Sequence, residues 1–129
     1  MQAQTFNPNL MVADMAASLQ FYQTYLGFDV VQATPERGTP DWVMLRAGAV
    51  VLMLQTASSL QAEYSVLAGR APAGSLTFYV HVSDVQTAYK QFEKLGSVIK
   101  PLRRTTYGSL EFAITDPDGF LLTLAQDEI

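Results

Sequence analysis

VADMAASLQFYQTYLGF, residues 12–28, and VSDVQTAYKQFEKLG, residues 82–96, are two writings of one phrase. Each puts an aspartate after a short apolar run, follows it with apolar residues at helical spacing and closes on glycine. Asp14 falls on Asp84 at an offset of 70, and at that offset Val12 meets Val82, Asn7 meets Thr77, Tyr22 meets Phe92, Trp42 meets Phe112 and Met53 meets Thr123. Gly27 and Gly96 differ by 69. Two copies this long do not make a solenoid. They predict two similar units in one body, with a site in the space they share.

Working outward, Asn9 to Val12 reads as a strand, Asp14 as a helix N-cap and Gly27 as the C-cap. Phe28 to Val31 begins a second strand, and a loop with Pro35, Gly38 and Pro40 follows. Trp42–Leu45 and Val50–Leu54 are β-rich runs around a tight turn, so the first unit is βαβββ. The linker predicts a turn or two of helix around Leu60–Leu67. The second unit repeats the order: strand Leu76–Val82, a helix with Val85, Ala88, Tyr89, Phe92 and Leu95 on one face, strand Val98–Ile99, a loop over Pro101–Gly108, and a hairpin around Asp116-Pro117-Asp118-Gly119. The expected fold class is α+β: one domain over 1–129, with module one about 5–56, linker about 57–74 and module two about 75–127. Alternation in the first strands puts Phe78, Val80 and Val82 under the helix and leaves Thr77, Tyr79 and His81 on a mixed polar and aromatic face.

The bulk numbers bound the function. A chain of 129 residues, 49% hydrophobic, can bury a core. The net charge is -4, and no basic run exceeds Arg103-Arg104, so no nucleic-acid footprint is present. The absence of cysteine removes disulfides and thiolate metal sites and fits a cytoplasmic protein. Met1–Asn9 lacks the pattern of a signal peptide, and Ala49–Leu54 is too short to span a bilayer.

Three stretches together, V-A-D-M-A-A-S-L-Q-F-Y-Q-T-Y-L-G-F, V-S-D-V-Q-T-A-Y-K-Q-F-E-K-L-G and Y-G-S-L-E-F-A-I-T-D-P-D-G-F-L-L-T-L, resemble the vicinal oxygen chelate superfamily of glyoxalases, extradiol dioxygenases and bleomycin-resistance proteins. The resemblance implies two βαβββ modules whose mixed sheets curl into a cup with helices outside. It also implies a divalent metal held by the first and last strands of each module. Those positions are Asn7, Met53, Thr77 and Thr123 in this chain. An amide, a thioether and two hydroxyls are poor ligands for Zn, Fe or Mn. A slip of two residues brings in Asn9, Gln55, Tyr79 and Ala125, which are no better. The expectation is no metal and no cofactor.

What remains is a small-molecule pocket, apolar with a few orienting polar groups. The first copy contributes Asn7, Asn9, Met11, Met53 and Gln55; the second contributes Thr77, Tyr79, His81 and Thr123. Trp42 and Phe112 offer flat faces for stacking, with the hairpin register deciding which way they point. Tyr107, Gly108 and Glu111 match the aromatic-Gly…acid-Phe element of the bleomycin-resistance branch, whose members sequester a planar, cationic drug unaltered. The expected function is therefore metal-free binding of a planar or aromatic ligand, antibiotics included, by a homodimer. The alternative is a lyase, isomerase or dioxygenase of the same superfamily with non-standard metal ligands drawn from His81, Glu111 and Gln55. Plainer roles compete at single positions. His81 also reads as a half-buried hydrogen-bonder, Met53 as core filler, Trp42 as an interface anchor and Glu111 as a solvated strand charge, and Asp116 and Asp118 read as turn-formers.

Overall fold

A computed structural model describes residues 1–128. The chain runs β1 (Asn9–Val12), α1 (Met15–Leu26), β2 (Asp29–Thr34), β3 (Trp42–Ala47), β4 (Val50–Thr56), α2 (Ala57–Glu63), a 3₁₀ turn (Ser65–Leu67), β5 (Thr77–His81), α3 (Val85–Lys94), β6 (Val98–Arg104), β7 (Ser109–Thr115) and β8 (Leu121–Asp127). It divides into two compact units, Met1–Ala73 and Gly74–Ile129. Each carries its own four-stranded mixed sheet, ordered β1-β4-β3-β2 in the first and β5-β8-β7-β6 in the second.

In the first unit β1 pairs parallel with β4, and β4, β3 and β2 run antiparallel. The parallel pair is what a helical crossover allows. Asp14 caps α1 by accepting from the backbone N–H of Ala17, and Gly27 ends it at φ +73°. A side chain at that φ is strained, so Gly27→Ala should lower the unfolding free energy by about 1 kcal/mol in a urea titration. Leu10, Val12, Val43, Leu45, Leu52 and Leu54 alternate onto one face of the sheet and are buried. Each such side chain stabilises by about 1.5–3 kcal/mol relative to exposure.

The second unit repeats this plan. β5 pairs parallel with β8, and β8, β7 and β6 are antiparallel. Asp84 caps α3, accepting from the side-chain hydroxyl and the backbone N–H of Thr87, and these bonds hold its carboxyl below the ordinary value. Leu122, Leu124, Phe112 and Ile114 form the inner face with Val85 and Phe92 of α3. Leu95, expected on the helix's apolar face, is half exposed at the helix end.

Two readings need correction. Pro101–Arg104, expected in a loop, extends β6. Proline is tolerated because β6 is an edge strand whose pairing with β7 is broken by bulges, so no ladder bond needs its missing N–H. The offset of 70 also fails across the third strand of each unit. Trp42 lies opposite Gln55 and Glu111 lies opposite Ala125. Gln55 and Ala125 differ by 70, but Trp42 and Glu111 by 69, so Glu111, not Phe112, is the counterpart of Trp42. Between equivalent ladder pairs the second hairpin holds one more residue: four lie between the paired Arg46 and Val51, and five between the paired Thr115 and Leu121.

Candidate functional site

The registers sort the expected site residues onto faces. In the first unit Asn9 lies beside Met53, Met11 beside Gln55, and Trp42 and Met44 beside Gln55 and Met53. These side chains share the sheet face opposite the apolar core. The first hairpin turns at Gly48-Ala49, which sets Trp42 opposite Gln55 on the polar face. Asn7 precedes β1 and is exposed.

In the second unit Thr77, Tyr79 and His81 on β5, Thr123 on β8 and Glu111 on β7 share one face. Phe112 does not join them. It is 1% exposed, and its ring packs edge-on to Tyr89 at 5.2 Å and tilted on Phe92 at 6.1 Å. The period of two, started one residue away at Glu111, sends it to the helix side.

Glu111 is the centre of this face. It is 2% exposed, not a solvated strand charge. Its Oε2 accepts hydrogen bonds from the Tyr79 hydroxyl, the Tyr107 hydroxyl at 2.8 Å and the Ser109 hydroxyl at 2.9 Å. Arg103 reaches its Oε1 at 3.5 Å. Burial alone would push the Glu111 carboxyl up, but the three hydroxyls and the guanidinium outweigh it and hold the group below its ordinary value. The same bonds raise the phenols of Tyr79 and Tyr107, foremost through their donation to Glu111. Glu111 is thus a buried anion at neutral pH. Its two exposed phenol partners spend their protons on it and keep oxygen lone pairs free.

The β6–β7 turn builds this arrangement. The Thr105 N–H donates to the Ser109 carbonyl at 2.8 Å, and the Ser109 N–H donates to the Thr105 hydroxyl at 3.1 Å. The loop folds back tightly enough for Tyr107 to reach Glu111 four residues on. Ser109, Thr105 and Arg103 were not anticipated. Ser109 was findable, since it stands two residues before Glu111 on a strand. Arg103 was hidden because its strand read as a loop.

Asp116 does work as a turn-former. Its Oδ1 accepts from the backbone N–H groups of Asp118 and Phe120 at 2.9 Å each. His81 Nε2 lies 3.7 Å from Asp127 Oδ1 with both side chains well exposed.

A family model described as the Glyoxalase/Bleomycin resistance protein/Dioxygenase superfamily matches residues 4–124. The chain belongs to that superfamily. Among solved structures similar to this glyoxalase-superfamily chain is a glyoxalase-related enzyme from Fulvimarina pelagi, 22% identical, TM-score 0.78, covering 97% of this chain and 89% of that one. Another is a protein of unknown function from Agrobacterium tumefaciens, 23% identical, TM-score 0.79, covering 98% and 97%. A third, a superfamily member from Sphaerobacter thermophilus, is 24% identical with TM-score 0.76 and 98% of each chain covered. At these identities the likeness establishes the fold. No curated protein matches the sequence.

The residues do not fit the metal that this superfamily's enzymes imply. Asn7, Met53, Thr77 and Thr123 lack imidazole and carboxylate donors. Among the described residues no three His, Cys, Asp or Glu side chains gather into a group able to hold a metal ion. Two of the alternative donors are engaged, Glu111 with hydroxyls and Arg103, and Gln55 with Asn9, Ser59 and Glu63, while His81 is exposed beside a single carboxylate. Among the described residues, no helix is long and apolar enough to cross a membrane.

Proposed function

We propose that this superfamily member is a small-molecule binding protein of the bleomycin-resistance type. It takes planar or aromatic compounds, antibiotics among them, holds them without a metal and releases them unchanged. The observation that carries this reading is the ionised Glu111 with Tyr79 and Tyr107 donating to it. A buried carboxylate whose hydroxyl partners turn their lone pairs outward presents acceptors beside two exposed aromatic rings. That chemistry suits a flat ligand with a cationic N–H edge. Arg103 balances the carboxylate locally, so orientation and stacking, more than net charge, set the affinity. The overall charge of -4 favours the approach of a cation.

The working unit is proposed to be a cytoplasmic homodimer. The edge strands leave apolar side chains in water, with Val30 and Val31 on β2 and Ile99 on β6 all at least 40% exposed. Light scattering should return twice the chain mass of 14.2 kDa.

The binding test is a titration of 9-aminoacridine, a planar aromatic cation, followed by fluorescence anisotropy with and without EDTA. Saturable binding, indifference to chelation and recovery of the unmodified compound by mass spectrometry are expected. Conversion of the compound, or binding that disappears with EDTA, would overturn the reading.

A further inference from the structure

The first unit contains a second polar relay, separate from Glu111. Glu63, the last residue of α2, accepts a hydrogen bond from Gln55 Nε2 at 2.9 Å, and Ser59 accepts the other Nε2 hydrogen at 3.0 Å. With both amide hydrogens committed to α2, Gln55 turns its Oε1 towards β1. There it accepts from Asn9 Nδ2 at 2.9 Å. This orients the Asn9 amide and leaves its Oδ1 as the one buried side-chain oxygen or nitrogen among the described residues with no hydrogen-bond partner. A buried acceptor left unpaired is unfavourable and unusual.

The direction of the relay matters. A carboxylate only accepts, so Glu63 can be satisfied only by a donor, and the sense of every bond back to Asn9 follows from that. Asn9 is half-buried, and its neighbours on this face are Met53 across the ladder and Met11 two residues on. Both are flexible, unbranched side chains able to move off the acceptor. Trp42 stands on the same face, two strands over.

We propose that this face is a ligand subsite for planar heteroaromatic compounds bearing an N–H donor, with Asn9 Oδ1 as the acceptor, and that Glu63 is a positioning residue that sets this polarity through Gln55. All the groups of this subsite belong to the first unit.

The test compares indole, which donates through N–H, with quinoline, a two-ring compound that only accepts. Binding is followed by the Trp42 indole and Asn9 side-chain amide resonances of ¹⁵N-labelled full-length protein. The wild type should prefer indole by about tenfold or more. In Glu63→Lys the introduced ammonium can only donate. Gln55 must then turn its oxygen to α2, Nε2 pairs with Asn9 Oδ1, and the Asn9 amide hydrogens become the free group. The preference should reverse to quinoline. Glu63 is exposed at a helix C-terminus, where a cation is well placed, so this variant keeps its fold. Glu63→Met, which neither donates nor accepts there, should bring the two compounds within about threefold of each other. A merely structural role for Glu63 would weaken both compounds together and reverse nothing. Equal binding of the two by the wild type, as expected if a bound water satisfies Asn9, or no resonance shift with either, would overturn the proposal. So would an unchanged preference in Glu63→Lys. Glu63→Lys changes no group that touches Glu111, whose partners are Tyr79, Tyr107, Ser109 and Arg103.

Discussion

Phe112→Ala should cost about 3–5 kcal/mol of unfolding free energy and leave the ligand affinity of the folded fraction unchanged. The ring is 1% exposed and touches Tyr89 and Phe92 of α3, so its removal opens a cavity between sheet and helix. β7 lies inside its sheet between β8 and β6, which limits how far the backbone can relax into that space. Urea unfolding at neutral pH measures the loss, and the 9-aminoacridine titration, made well below the unfolding midpoint, measures affinity. A stable variant with weakened binding would put Phe112 back on the ligand face and contradict the β7–β8 register.

Glu111→Gln should weaken 9-aminoacridine binding by about tenfold or more and cost about 2 kcal/mol of stability at pH 7. The stability figure is kept modest because Tyr79, Tyr107 and Arg103 lie at the surface and regain water when the carboxylate is lost, whereas Ser109 is buried. The pH dependence carries a sign. Glu111 is held below the ordinary carboxylate value in the folded chain, so the unfolded chain binds its proton first as the pH falls. The stabilisation is therefore complete above the unfolded value, near 4.5, and drains away as the pH drops through the lower folded value. The gap between wild type and variant should be full at pH 7 and narrow steadily below about pH 4.5. A gap that stays constant down to pH 3 would mean that Glu111 is not an ionised group stabilised by its hydroxyl partners.

Much of the fold was legible in the chain because its signals are local. Asp14 and Asp84 cap helices through their own side chains, and Gly27 takes the left-handed backbone that ends α1. Strand alternation named the polar faces of β1 and β5 correctly, since a period of two needs only the residues of one strand. Of the two centres, Glu111 and Tyr107 stood out through spacing in a single motif. Their companions Ser109 and Arg103, and the relay from Glu63 to Asn9, did not.

The sequence by itself determined the βαβββ repeat, the caps and the turn at Asp116. Only the tertiary structure decided which residues of the third strands face the polar side. One extra residue between equivalent ladder pairs of the second hairpin shifts the register between repeats, and every one-residue shift moves a side chain to the other face. It also decided that Glu111 is a buried anion and Asn9 an oriented acceptor. Both depend on hydrogen-bond partners brought from other elements, the donor Tyr79 to Glu111 across 32 positions and the acceptor Gln55 to Asn9 across 46, and no spacing along the chain encodes such a meeting.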